Sequence, residues 1–98
     1  MIKNFHSYDL AVQLYQQCEK LKARAHIQDQ LLRASLSVVL NLAEGSGKPT
    51  PKEKRRFYGI ALGSLRETQA LLQVMNQTEA SAVAQRLGGM LYSLVYPR

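Results

Sequence analysis

The residues Gly45-Ser46-Gly47-Lys48 are the first in this chain whose types and order point to chemistry. Glycines ahead of a lysine can cradle phosphate with their backbone N–H groups. The spacing argues against it. A phosphate loop needs a glycine five residues before Gly47, and Leu42 stands there. It also needs a strand leading in, and the residues before Gly45 have helical periodicity. What remains is a helix–helix turn in which glycines take backbone angles closed to other residues. His6 and His26 are far apart, with no cysteine or carboxylate at ligand spacing, so no metal site is expected. Cys18, the single cysteine, falls on an apolar helical stripe and reads as a buried structural thiol. Ser64 and Glu67 have no histidine at a spacing that would make a nucleophile of the serine; Ser64 reads as a small residue where helices approach. No acid–base pair or triad assembles. The expectation is a protein that is not an enzyme and holds no cofactor.

The charge is a stronger signal. The net charge is +6. Lys48, Lys52, Lys54, Arg55, Arg56 and Arg66 against the lone Glu53 place +5 of it between residues 48 and 66. The excess so concentrated points to a polyanionic partner. On a wheel of about 100° per residue, Lys52, Arg55, Gly59, Gly63, Arg66, Ala70 and Gln73 share a face, with Arg56 at its margin. With Lys48 in the preceding loop, Lys52, Arg55, Arg56 and Arg66 can follow a phosphate backbone. Gly59 and Gly63 would admit a backbone or a partner helix, and Tyr58 at the border would stack on a base. The plainer alternative is a solvated face that keeps the protein dispersed.

Four amphipathic helices must position these residues. Ser7 caps the first, with Asp9 in its first turn and Leu10, Leu14, Cys18, Leu21 and Ala25 as its stripe. Lys20, Lys22 and Arg24 complement its C-terminal dipole. The turn that follows is poorly marked. The second helix ends at Gly45, and Thr50-Pro51-Lys52-Glu53 opens the third with a cap, a first-position proline and a capping box. Asn76–Thr78 is the next turn, and Thr78 caps the fourth helix, whose stripe is Val83, Leu87, Met90, Leu91 and Leu94. Gly88-Gly89 costs this helix roughly 1 kcal/mol per glycine relative to alanine, which points to close helix approach or fraying. The spans are about 8–24, 28–44, 51–75 and 79–95. The fold class is all-α: one domain, an antiparallel up-down-up-down four-helix bundle. No apolar run approaches the ~18 residues that cross a bilayer. No secretory leader is visible, and a cytoplasmic location is expected.

The second helix is more apolar than a small monomer needs. Ile27, Leu31, Ala34, Ser35, Val38 and Leu42 make a core face. Leu32, Leu36, Val39, Leu40 and Ala43 make another strip beside it, which must meet more of the chain or a second subunit.

Three segments carry a family resemblance: Leu32-Arg33-Ala34-Ser35-Leu36-Ser37, Asn41-Leu42-Ala43-Glu44-Gly45-Ser46-Gly47, and Phe57 through Glu67. In order and spacing they resemble the bacterial "four helix bundle proteins", also called 23S rRNA-intervening-sequence proteins. The family pattern is similar to RRA-x-SI-x-x-NIAEG followed by F-x-x-x-A-x-GSLxE. Arg33, Asn41, Glu44, Gly45, Gly63, Ser64 and Glu67 match it. This resemblance implies a small antiparallel bundle that assembles into a ring, a homopentamer, some members being encoded within large-subunit ribosomal RNA genes. It extends to the accessory proteins of diversity-generating retroelements, basic pentamers that bind reverse transcriptase and nucleic acid. Arg33, Asn41, Glu44 and Glu67 then read as a polar network holding the bundle or its neighbours. The chain departs from the family in lacking its Phe-Pro-containing first connection and in its short C-terminus. Two functions are therefore expected in competition. One is an oligomer that contacts RNA or DNA through its basic stripe. The other is an assembly module that binds a protein partner with no nucleic-acid contact.

Overall fold

The computed structural model describes residues 5–98; Lys3, part of the charge balance, lies outside them. Four helices follow in order, α1 (His6–Glu19), α2 (Ala25–Ser46), α3 (Pro51–Val74) and α4 (Thr78–Val95), with no strand among the described residues. Each packs on the next, and α4 returns to α1, so the four surround one core. Arg33 meets Glu67, Ser37 meets Ser64, and Lys54 meets Ser46. That descending series shows α2 and α3 running in opposite directions.

Several helix ends differ from the sequence expectation. The first helix starts at His6 behind Phe5, which makes no side-chain cap bond, and Ser7 is buried inside the first turn. It ends at Glu19 rather than near residue 24. Backbone bonds from Lys20 to Gln17 and from Leu21 to Cys18, both 3.1 Å, close the turn early. Lys20, Lys22 and Arg24 thus lie beyond the last turn. Leu21 packs on the core from the link rather than from the helix, and this extended the apparent stripe. The second helix begins earlier, at Ala25, and passes through Gly45 to a cap at Gly47. Thr78 is the first residue of α4; Gln77 occupies the cap position, without a side-chain bond. The start of α3 is as expected: Thr50 Oγ1 accepts from the Glu53 N–H at 3.2 Å, its hydroxyl donates to Glu53 Oε2 at 2.9 Å, and Pro51 takes the first position. After α3, Asn76 adopts φ 59°. The N–H of Gln77 bonds Leu72 O at 2.9 Å and that of Asn76 bonds Gln73 O at 3.0 Å. This is a Schellman ending with asparagine in the left-handed position.

Leu14, Leu31, Leu42, Leu65, Leu72, Leu87 and Leu91 are fully buried, each contributing roughly 1.5–3 kcal/mol of transfer free energy. The polar side chains among them are satisfied locally. Ser35 Oγ donates to Leu31 O at 2.7 Å, and Thr68 Oγ1 donates to Ser64 O at 2.9 Å, each bonding back one turn along its own helix.

α3 comes close to α2 at Gly45. A Cβ there would lie 2.7 Å from Tyr58 Cε1 and 3.1 Å from Phe57 Cβ. Gly45 is buried at the penultimate position of α2 with a negative φ, so its lack of a side chain matters for contact and not for backbone freedom. Gly88 plays a milder version of this role: its Cβ would come 3.4 Å from Arg66 Nη1 and 3.7 Å from Leu65 Cδ2. Gly89 meets nothing within 4 Å. Helix propensity alone makes Gly45→Ala stabilising by about 1 kcal/mol. The clash reverses the sign, and the expected result in urea denaturation is a loss of about 1–3 kcal/mol. Gly59→Ala, at a site with nothing within 4 Å, should gain up to about 1 kcal/mol in the same assay. A stabilising Gly45→Ala would contradict the Tyr58 packing.

Burial pushes the Cys18 thiol up from 9.0 to about 11, opposed in part by a hydrogen bond with Ser35. Between those values the unfolded chain has lost this proton while the folded chain keeps it. Stability is therefore full below pH 9.0 and falls as pH rises toward 11, by a total of about 2–3 kcal/mol. Denaturation across this range, wild type minus Cys18→Ala, should show that slope. A flat difference would mean that the thiol is accessible to water.

Candidate nucleic-acid interface

The cations between residues 48 and 66 divide into two groups. Two are held by the fold. Lys54 Nζ donates to Ser46 O at 2.9 Å and satisfies a carbonyl at the end of α2. Lys48 Nζ pairs with Glu44 Oε2 at 3.0 Å and lies 5.0 Å from the centre of the Phe57 ring. The Arg56 guanidinium sits 5.3 Å from the same ring, so two cations share one aromatic neighbour. The others, Lys52, Arg55, Arg56 and Arg66, are exposed. None of these four forms an ion pair among the described residues. Arg66 Nη1 bonds only Gln69 Oε1, at 3.0 Å. Lys52, Arg55, Arg56 and Arg66 thus lie exposed on α3, while the loop member Lys48 is half-buried and paired with Glu44.

Tyr58 departs from expectation. Its side chain is buried, packs edge-on against Phe5 with ring centroids 5.9 Å apart, and presses on Gly45. Burial raises its phenol above the ordinary value. The wheel put Tyr58 at a border, but the glycine opposite draws the ring inward and no base can stack on it. Gly59 and Gly63 have nothing within 4 Å of a Cβ position, so α3 presents an open strip between Arg55 and Arg66.

The second apolar strip of α2 also divides. Val39 belongs to the chain's own core and needs no other subunit. Leu32 and Ala43 are half-buried. Leu36 and Leu40 are 39% and 56% exposed, and Ile60 on α3 is 44% exposed. In the antiparallel register of α2 and α3, Leu40 and Ile60 stand at the same level, making one apolar patch across the seam. Ile60 falls on the edge of α3 toward α2, not on its core face.

The residues read as a polar network form two parts. Arg33 pairs with Glu67 across the seam. Both side chains are about half exposed or more, so screening limits the pair to about 0–1 kcal/mol. Asn41 Nδ2 donates to Ser37 O at 2.9 Å and to Ser37 Oγ at 3.1 Å, and Ser37 Oγ lies 2.8 Å from Ser64 Oγ. Glu44 joins neither part; it holds Lys48. The Ser37–Ser64 bridge was missed because a cross-helix hydroxyl pair leaves no periodic trace. No three His, Cys, Asp or Glu side chains converge among the described residues, and no helix is long and apolar enough to cross a membrane.

Residues 5–86 match the family model described as 23S rRNA-intervening sequence protein. A search of curated proteins returns no match.

Proposed function

The chain belongs to the 23S rRNA-intervening sequence protein family, and from that premise we propose a non-enzymatic, cytoplasmic, self-assembling four-helix bundle that contacts RNA through α3. Links of five, four and three residues join the helices, and α1 packs on both α2 and α4. Connections this short favour antiparallel neighbours, so up-down-up-down order is the reading they support. The observation that carries the RNA contact is the set Lys52, Arg55, Arg56 and Arg66, exposed and without carboxylate partners. Folding alone gives no reason to hold like charges together, since they repel one another at low salt. A phosphate backbone relieves that repulsion and releases counterions.

The copies would meet through Leu36, Leu40 and Ile60, with Leu32 and Ala43 at the margin. Leu36, Leu40 and Ile60 are large apolar side chains left exposed, the kind of surface that marks an interaction site. The family resemblance makes a ring of five the expected assembly. A protein partner such as a reverse transcriptase is the competing occupant of this patch.

Filter binding of RNA across a salt series tests the first part. Engagement of about four to six phosphates gives a log–log slope of roughly −3 to −5, and reversal of charge at Arg55 and Arg56 should weaken binding at every salt concentration. Binding that ignores both salt and reversal would exclude the stripe. Light scattering tests the second part. The expected mass is a multiple of the 11.0 kDa chain, reduced to a single chain by Leu40→Glu with Ile60→Glu. A wild-type protein that stays monomeric at all concentrations removes self-assembly.

A further inference from the structure

Tyr92 and Tyr96, at the end of α4, are 54% and 59% exposed. Their ring centroids are 4.8 Å apart and the planes are tilted by 46°. Nothing in the core needs them. Tyr92 follows Gly88 by about one turn on α4, and Tyr96, the C-cap, bonds back to Tyr92 O at 2.9 Å. The Gly88 edge faces α3, because a Cβ on Gly88 would lie 3.4 Å from Arg66 Nη1 and 3.5 Å from Gln69 Nε2. The two helices run in opposite directions: the turn after Val74 joins them, Gln73 lines a groove with Ser81 close to that turn, and Arg66 meets Gly88 farther from it. One and two turns beyond Gly88 on α4 therefore correspond to one and two turns before Arg66 on α3. Tyr92 comes level with Leu62, and Tyr96 with Tyr58, next to Gly59. Gly59 leaves open space, and Arg55 and Arg66 share its helix face.

Toward the turn, the groove continues between Gln69 and Gln73 on α3 and Ser81 and Gln85 on α4, with a volume of about 460 Å³. These amides and the hydroxyl can both donate and accept. The carboxylates of α3 lie elsewhere, with Glu67 on Arg33 and Glu53 at the Thr50 cap. One edge of the bundle thus combines a paired aromatic platform, two arginines and neutral hydrogen-bonding groups.

We propose that the α3/α4 groove is a track for single-stranded nucleic acid, in which Tyr92 and Tyr96 stack on unpaired bases while Arg55 and Arg66 hold phosphates. The proposal rests on the nucleic-acid reading above and narrows it to one strand state and one face. A duplex hides its base faces, so exposed tyrosine rings add nothing to duplex binding, whereas every unpaired base has a face to stack. From Ser81 to Tyr92 the proposed track would follow about 16 Å of helix, room for about five nucleotides at the ~3.4 Å stacked spacing.

The test is fluorescence anisotropy with the full chain and three labelled probes of about twelve nucleotides: an unstructured RNA, DNA of the same sequence, and a duplex RNA. Tyr92→Ala with Tyr96→Ala should weaken both single strands about tenfold or more and leave the duplex within about twofold. Tyr92→Phe with Tyr96→Phe keeps the rings and should restore single-strand binding. Both tyrosines are exposed, so thermal unfolding of these variants should match wild type and exclude misfolding as the cause. Unchanged single-strand binding by the alanine pair would overturn the groove while leaving the basic stripe standing, provided reversal at Arg55 and Arg56 still weakens binding. Equal losses for single strand and duplex would overturn the stacking role. No binding of any probe by wild type would remove this proposal and the reading beneath it together.

Discussion

The contact of Tyr58 with Gly45 determines how the charged end of the molecule is built. A glycine in the last turn costs α2 up to about 1 kcal/mol of propensity, and in return α3 comes close enough for the Tyr58 ring to press where a Cβ would be. That approach sets the register in which Lys54 reaches Ser46 O and Ser37 reaches Ser64. It also decides which cations are structural and which are free. With Tyr58 turned inward, the helix wheel of α3 is fixed in rotation, and Arg55, Gly59, Gly63 and Arg66 must face outward. Tyr58 acts here together with Ala61, Leu65, Thr68 and Leu72, the other buried residues of α3.

The same register explains how so much positive charge is tolerated. Lys54 neutralises the partial negative charge at the carbonyl end of α2, and Lys48 is offset by Glu44 and by the face of Phe57. The exposed remainder is spread over four turns of α3, from Lys52 to Arg66, about 21 Å at 1.5 Å per residue. This exceeds the ~8–10 Å screening length at physiological salt, so Arg66 adds little repulsion to the group at the start of the helix. A partner that touches all four must be extended and anionic.

Much of this was legible in the sequence, and the rest was not for identifiable reasons. Thr50-Pro51-Lys52-Glu53 marked its helix start because each residue satisfies a local requirement of the first turn. Leu31, Val38 and Leu42 marked the core face of α2 because burial follows the helical period. Local rules failed where the deciding contact was distant in sequence. Gly45 resembles a helix stop, and only Tyr58, thirteen residues on, shows that it is a packing site. Leu21 and Ala25 continue the period of α1, yet the chain has already turned, tied by Gln28 Nε2 to Cys18 O at 3.5 Å. The candidate interface was half legible. Charge is additive along a chain, so the stripe could be counted, but Tyr58 was assigned to the surface and Tyr92 and Tyr96 were passed over, because neither burial nor exposure of an aromatic follows from its neighbours alone.

The apolar patch and the arginine–tyrosine groove occupy opposite edges of α3. Leu36, Leu40 and Ile60 lie on the side toward α2; Arg55, Arg66 and Tyr92 lie on the side toward α4. A single flat partner on one of these edges leaves the other in water. Self-association through the α2 side leaves the α4 side open, and in a closed ring built on that side every subunit would present its groove in the same orientation. Repetition then raises the effective concentration of each groove for a strand already held by its neighbour. Lys52, Arg55, Arg56 and Arg66, exposed and without an ion pair among the described residues, would by themselves make a weak site for the proposed RNA contact. In the proposed assembly, several such sites on a common frame would bind a polyanion far more tightly without any new contact, a physical reason to pair the proposed assembly with the proposed RNA contact.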